Sequence, residues 1–135
     1  MSTFRKLNVS RVRDVDVVIF KDSKILDEEL LDELRTELLA VVGQRTHPDV
    51  LLDFSNVEFM SSAMLGLLGV VHRKMKKADG RLKMCSIRPE IFTVFKLTNL
   101  DKLFTICSDA GAAMKAFGAM GGSCKSCHDD YRQQD

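Results

Sequence analysis

The sequence has almost no charge of one sign to spare. Twenty Lys and Arg face nineteen Asp and Glu, for a net charge of +1. Without a basic surplus, non-specific binding to phosphate backbones is not expected, and no direct nucleic-acid partner is assigned. Long apolar runs are also missing. The nearly apolar stretch at 63–71 is far too short to cross a bilayer, so no membrane insertion is expected. The opening MSTFRKLNVSRVRD is basic, but no run of signal-peptide length follows it, which makes the cytoplasm the expected compartment. Cysteine is scarce, with Cys85, Cys107, Cys124 and Cys127 in no secretory context, so the four are read as reduced thiols and not as a disulfide framework. There is no internal repeat, no P-loop and no glycine-rich dinucleotide fingerprint.

What is present is the composition of one ordinary folded domain. The chain has 135 residues, 45% of them apolar and 29% charged, a length that buries a self-sufficient core. Val15, Val17 and Ile19, interleaved with Val18 and Phe20, form a largely apolar run compatible with a well-buried strand. Phe4, Leu7, Val9 and Val12 allow an earlier strand beside it. Over 26–42 the period becomes helical. Leu26, Leu30, Leu34, Leu38 and Val41 share one face, and Asp27, Glu28 and Glu29 fill the first turn, where the helix dipole favours negative charge. Residues 50–54 read as a short strand. Met64, Leu67, Leu68, Val71 and Met75 write a second amphipathic helix with basic last turns. Residues 82–87 return to strand, and Pro89 suits the first position of a third helix carrying Ile91, Phe92 and Phe95. Residues 103–107 read as a last strand, and Ser108-Asp109 caps a closing helix to about Phe117. This alternation predicts an α/β fold, with helices packed on a sheet of about five strands and about four helices, and crossover helices making the parallel pairs. The domain is expected over 1–117. Residues 118–135, GAMGGSCKSCHDDYRQQD, have no apolar period and read as a tail.

One junction concentrates the chemistry. In VEFMSSAMLG, Ser61 and Ser62 follow a bend after the strand at 50–54 and stand immediately before the second helix. The plain reading is an N-cap hydroxyl that accepts from an otherwise orphan N–H. The functional reading is a regulatory hydroxyl. No nucleophile elbow and no acid–base partner accompany the pair, so enzymatic chemistry is not expected.

The run LLDFSNVEFMSSAMLGLL, at 51–68, resembles the signature region of STAS domains, specifically the bacterial anti-sigma factor antagonists. The likeness extends through 82–87, RPEIFTVFKLTNLDKLF and back to Ile25-Leu26-Asp27, covering roughly residues 4–117. It implies the antagonist form of the α/β fold with a mixed sheet. It also implies a non-enzymatic switch: the unphosphorylated protein binds an anti-sigma factor that is a serine kinase, frees its sigma factor, and is blocked by phosphorylation. The position matching the modified serine is Ser62, with Ser61 the second choice. Ser61 stands where the family has Asp, Ala63 where it has a second Ser, and Met64 where it has Gly. By the same resemblance the partner-binding surface comprises Asp27 with Phe59, Met60, Ser61, Ser62, Ala63, Met64 and Leu65. A constitutive STAS interaction module, in a signalling complex or beside a transporter, is the neighbouring alternative.

The remaining features have plainer readings. Cys124, Cys127 and His128 spell C-x-x-C-H, the pattern of c-type haem attachment, and could instead offer three zinc ligands or a redox pair. Haem attachment normally follows export, zinc needs a fourth ligand, and a redox pair belongs at a strand-to-helix junction. An exposed tail without cofactor is the reading adopted, with a haem, zinc or redox protein as the alternative of another class. The cluster His72, Arg73, Lys74, Lys76 and Lys77 reads as a solvated face, as do the acidic residues of the first helix. His47 and His72 read as ordinary surface histidines, and Cys85 and Cys107 as small buried hydrophobes.

Overall fold

In a computed structural model, which describes residues 4–117, the chain opens with a hairpin of β1 (Leu7–Val12) and β2 (Val15–Phe20). Both turn residues, Arg13 and Asp14, have positive φ, 50° and 68°, which lets a two-residue loop follow the twist of the strands. After β3 (Lys24–Ile25), the helix α1 (Glu28–Gly43) leads to β4 (Asp49–Asp53). Next come β5 (Phe59–Met60), α2 (Ser62–Lys77), β6 (Arg81–Cys85) and α3 (Pro89–Leu97). A 3-10 turn at Leu100–Lys102, β7 (Thr105–Cys107) and α4 (Ala110–Ala116) complete the described chain.

The five-stranded sheet has the order β1-β2-β4-β6-β7; β1 and β2 are antiparallel and every other neighbouring pair is parallel. It is the five-stranded α/β sheet that the alternation of strands and helices predicts, and the mixed sheet that the STAS resemblance implies. Successive strand residues point to opposite faces. Val50 and Leu52 of β4 enter a core with Leu34, Leu38 and Val41 of α1, Leu68 and Val71 of α2, and Ile91 and Phe95 of α3. Leu51 points the other way, into a smaller cluster with Val15, Cys85, Cys107 and, from α4, Ala113 and Ala116.

Several boundaries differ from the sequence expectation. The first helix begins at Glu28, and Leu26, placed by periodicity on its buried face, is 55% exposed. The cause is a two-stranded sheet that periodicity does not reveal: Lys24 pairs with Phe59 and Ile25 with Met60. That pairing holds the chain extended, with Ile25 buried and Leu26 turned out. The strand expected over 82–87 stops at Cys85, because Ser86 adopts a φ of 60°. The last strand starts at Thr105, after the 3-10 turn, and leaves Leu103 exposed. His72 is not an ordinary surface side chain. It is half-buried and packs edge-on against Phe104, with centroids 5.4 Å apart. Burial first, then the charges of Lys76 and Arg73, lower its pKa below 6.5. Burial, reinforced by Asp53, pushes the Cys85 thiol up to about 12, where it is an unreactive core group.

Candidate functional site

The bend between β4 and α2 is tied down by its own polar groups. The Asp53 carboxylate accepts from the Ser55 N–H at 2.8 Å, and the Asn56 amide donates to the Phe20 carbonyl at 3.2 Å. The N–H groups of Glu58 and Phe59 both donate to the Ser23 carbonyl, at 2.8 and 3.1 Å, and Ser61 N–H donates to the Ile25 carbonyl at 2.9 Å. These bonds dock the bend onto the segment before α1 and aim its end at the start of α2.

Ser61 is the N-cap of α2 in extended conformation, φ −80° and ψ 164°, but its side chain makes no capping bond. Its Oγ is buried without a hydrogen-bond partner. Ser62, the first helical residue, is exposed. The two hydroxyls, which the sequence leaves as alternatives, are therefore unequal in access. The first turn of α2 contains no acidic residue, so its free N–H groups and positive dipole end are not already answered by a carboxylate.

Beside this helix start lies a groove of about 560 Å³. Phe59, Met60, Ser61, Ser62 and Leu65 form one wall, and Arg88, Glu90, Ile91 and Val94 of the α3 end form the other; Leu26 and Glu58 complete the lining. Leu26 and Phe59, at 55% and 53% exposed, present apolar surface that the fold does not cover. The Lys24 ammonium lies 5.8 Å from the Phe59 ring centroid, and Arg88 pairs with Glu58 at 4.0 Å.

The residues expected to share a surface divide as follows. Phe59, Met60, Ser61, Ser62 and Leu65 come together in the groove. Ala63 lines a second, smaller groove of about 330 Å³ between α1 and α2, with Glu28, Leu31, Asp32 and Gly66 also in its lining. Asp27 is exposed at the N-cap of α1 and is not part of the groove lining. Met64 is 0% exposed and belongs to the core, where its neighbours on α2 bury the same stripe; the expectation of a surface contact from its side chain is corrected. Sequence reasoning missed Leu26, Glu58, Arg88, Glu90, Ile91 and Val94 as groove residues, since their convergence depends on β3 pairing with β5 and on the placing of α3. An apolar Leu just ahead of an acidic first helical turn was the one local sign. Among the described residues no cluster of His, Cys, Asp and Glu could hold a metal ion, and no helix is long and apolar enough to cross a membrane. Cys124, Cys127 and His128 lie outside the described residues.

The domain is thus of α/β class, with an exposed hydroxyl on the rim of a largely apolar groove. Residues 8–113 match the STAS domain model, and the chain belongs to that family. It is similar to BtrV of Bordetella bronchiseptica, assigned as an anti-sigma factor antagonist: 30% identity over 88 residues, 64% of this chain and 73% of BtrV. The fold is shared with an anti-sigma-factor antagonist (STAS) domain protein from Planctomyces limnophilus, at a TM-score of 0.77 and 23% identity, covering 84% of this chain and 98% of that one. It is shared too with the phosphorylated form of SpoIIAA, a Bacillus cell fate determinant, at a TM-score of 0.61 and 17% identity, covering 81% and 97%.

Proposed function

We propose that this protein is a cytoplasmic, non-enzymatic anti-sigma factor antagonist switched by phosphorylation of Ser62. The unphosphorylated form binds an anti-sigma factor that is also a serine kinase, releasing its sigma factor; the phosphorylated form does not bind. The observation that carries this reading is the placement of Ser62, exposed at the start of α2 on the rim of the apolar groove, while the Ser61 hydroxyl is buried. The likeness to BtrV and to phosphorylated SpoIIAA supports it.

The physical switch is local. A phosphoserine brings nearly two negative charges. The helix start accommodates them without a change of fold, so the cost falls on the interface, where a dianion must be desolvated against a docking partner. A loss of about 2.7 kcal/mol there lowers affinity about a hundredfold. The test is the intact mass of the protein from its native cells, before and after phosphatase, with peptide mapping. A phosphatase-sensitive phosphoryl group on Ser62 is expected, together with kinase binding retained by Ser62→Ala and lost by Ser62→Asp. A chain unmodified under all growth conditions, binding its partner equally as Ser62→Asp, would instead identify a constitutive STAS module.

A further inference from the structure

The groove contains its own counter-charge for a phosphate. Three charged side chains line it, Glu58, Arg88 and Glu90, and Arg88 is the one cation among them. A phosphoryl group on Ser62 enters a rim that already carries two carboxylates, so without a cation it would meet repulsion. The present engagement of Arg88 is weak. Its contact with Glu58 spans 4.0 Å, the outer limit of an ion pair, and both side chains are about half exposed. A phosphate dianion is a stronger partner for a guanidinium than one carboxylate, since it offers more charge and a geometry suited to paired N–H donors. Lys24, the cation across Phe59, sits over that ring and does not line the groove.

We propose that Arg88 reads the phosphorylation state of Ser62: it exchanges Glu58 for the phosphate and closes the groove between α2 and α3. This deepens the proposed function and rests on Ser62 being the modified residue. Arg88 is the N-cap of α3, in extended conformation, and lines the same groove as Ser62. On moving toward Ser62, its aliphatic stem is to cover part of the groove that Leu65 and Ile91 also line, the way long basic side chains cover apolar surface. Phosphorylation then does two things at once: it adds charge to the interface, and it covers the apolar patch that a partner needs. The first effect is common to any phosphoserine at a protein interface, and the second is particular to a chain with Arg at 88.

The experiment needs no kinase. Phosphoserine is installed at position 62 during translation, and the phosphate is titrated by phosphorus NMR in the full chain and in Arg88→Gln, Arg88→Lys and Lys24→Gln backgrounds. The second phosphate ionisation, ordinarily near about 6, is expected to lie lower in the otherwise unmodified sequence than in Arg88→Gln by roughly half a unit or more. Arg88→Lys is expected to fall between, and Lys24→Gln to leave the value in place. Methyl signals of Leu65, Ile91 and Val94 are expected to shift further on phosphorylation with Arg88 present than in Arg88→Gln. Equal titration with and without Arg88, equal methyl shifts with and without it, or a dependence on Lys24 in place of Arg88 would each overturn the proposal. Absence of phosphate on the protein from native cells would overturn the functional reading instead, and leaves this measurement independent of it.

Discussion

Helices α2 and α4 both open on a polar residue in extended conformation, Ser61 in one and Asp109 in the other. The Asp109 carboxylate accepts from the Ala112 N–H at 2.8 Å, whereas the Ser61 hydroxyl is buried and bonds to nothing. The packing behind the two starts differs as well. The seven residues of α4 bury Ala113 and Ala116, small side chains of the lesser cluster, while α2 buries Met64, Leu65, Leu67, Leu68, Val71 and Met75. A helix that short is not stable by itself, and its cap supplies a meaningful part of what holds it. A sixteen-residue helix with a continuous apolar stripe is held by the core. Its first turn is therefore free to serve the surface, and a change of charge there need not unfold it.

Four measurements sharpen or break this contrast. The largest effect is expected from Leu68→Ala, which removes a fully buried side chain from the stripe of α2. Denaturant unfolding should show a loss of roughly 2–5 kcal/mol, and a loss smaller than that from removing the α4 cap would refute the view that packing holds α2. Next comes Asp109→Ala, expected to cost about 1 kcal/mol, with faster amide exchange confined to α4.

A smaller, pH-dependent contribution comes from His72. Its folded pKa is depressed, so as pH falls through 6.5 the unfolded chain takes up the proton before the folded one. Stability should be level above that value and decline below it, toward the lower folded pKa. His72→Gln should flatten the decline, and an unchanged pH profile in that variant would show that the ring against Phe104 is not held neutral. The smallest effect belongs to Ser61→Ala. Deleting a buried hydroxyl with no partner should leave stability within about 0.5 kcal/mol of the original, or raise it. A cost comparable to that of Asp109→Ala would mean that Ser61 caps its helix after all.

Much of the architecture is legible in local pattern. The stripe Leu30, Leu34, Leu38 and Val41 and its counterpart in α2 repeat at the spacing of one helical face, so their burial needs no knowledge of the rest of the chain. The short paired segments β3 and β5 escaped because two residues make no period, and what joins them is a contact across more than thirty positions. Leu26 shows the consequence, since a residue at helical spacing became a groove residue once Ile25 was held in a strand.

The sequence by itself determined the order of the four helices and of the five strands of the main sheet, the α/β class, the serine pair before α2 and the family likeness, because each is written in residues close together along the chain. Only the tertiary structure decided which hydroxyl is covered and that Leu26, Phe59, Arg88 and Val94 share one groove. Solvent access and convergence are properties of segments brought together from distant positions, and folding the helices onto the sheet is what creates them.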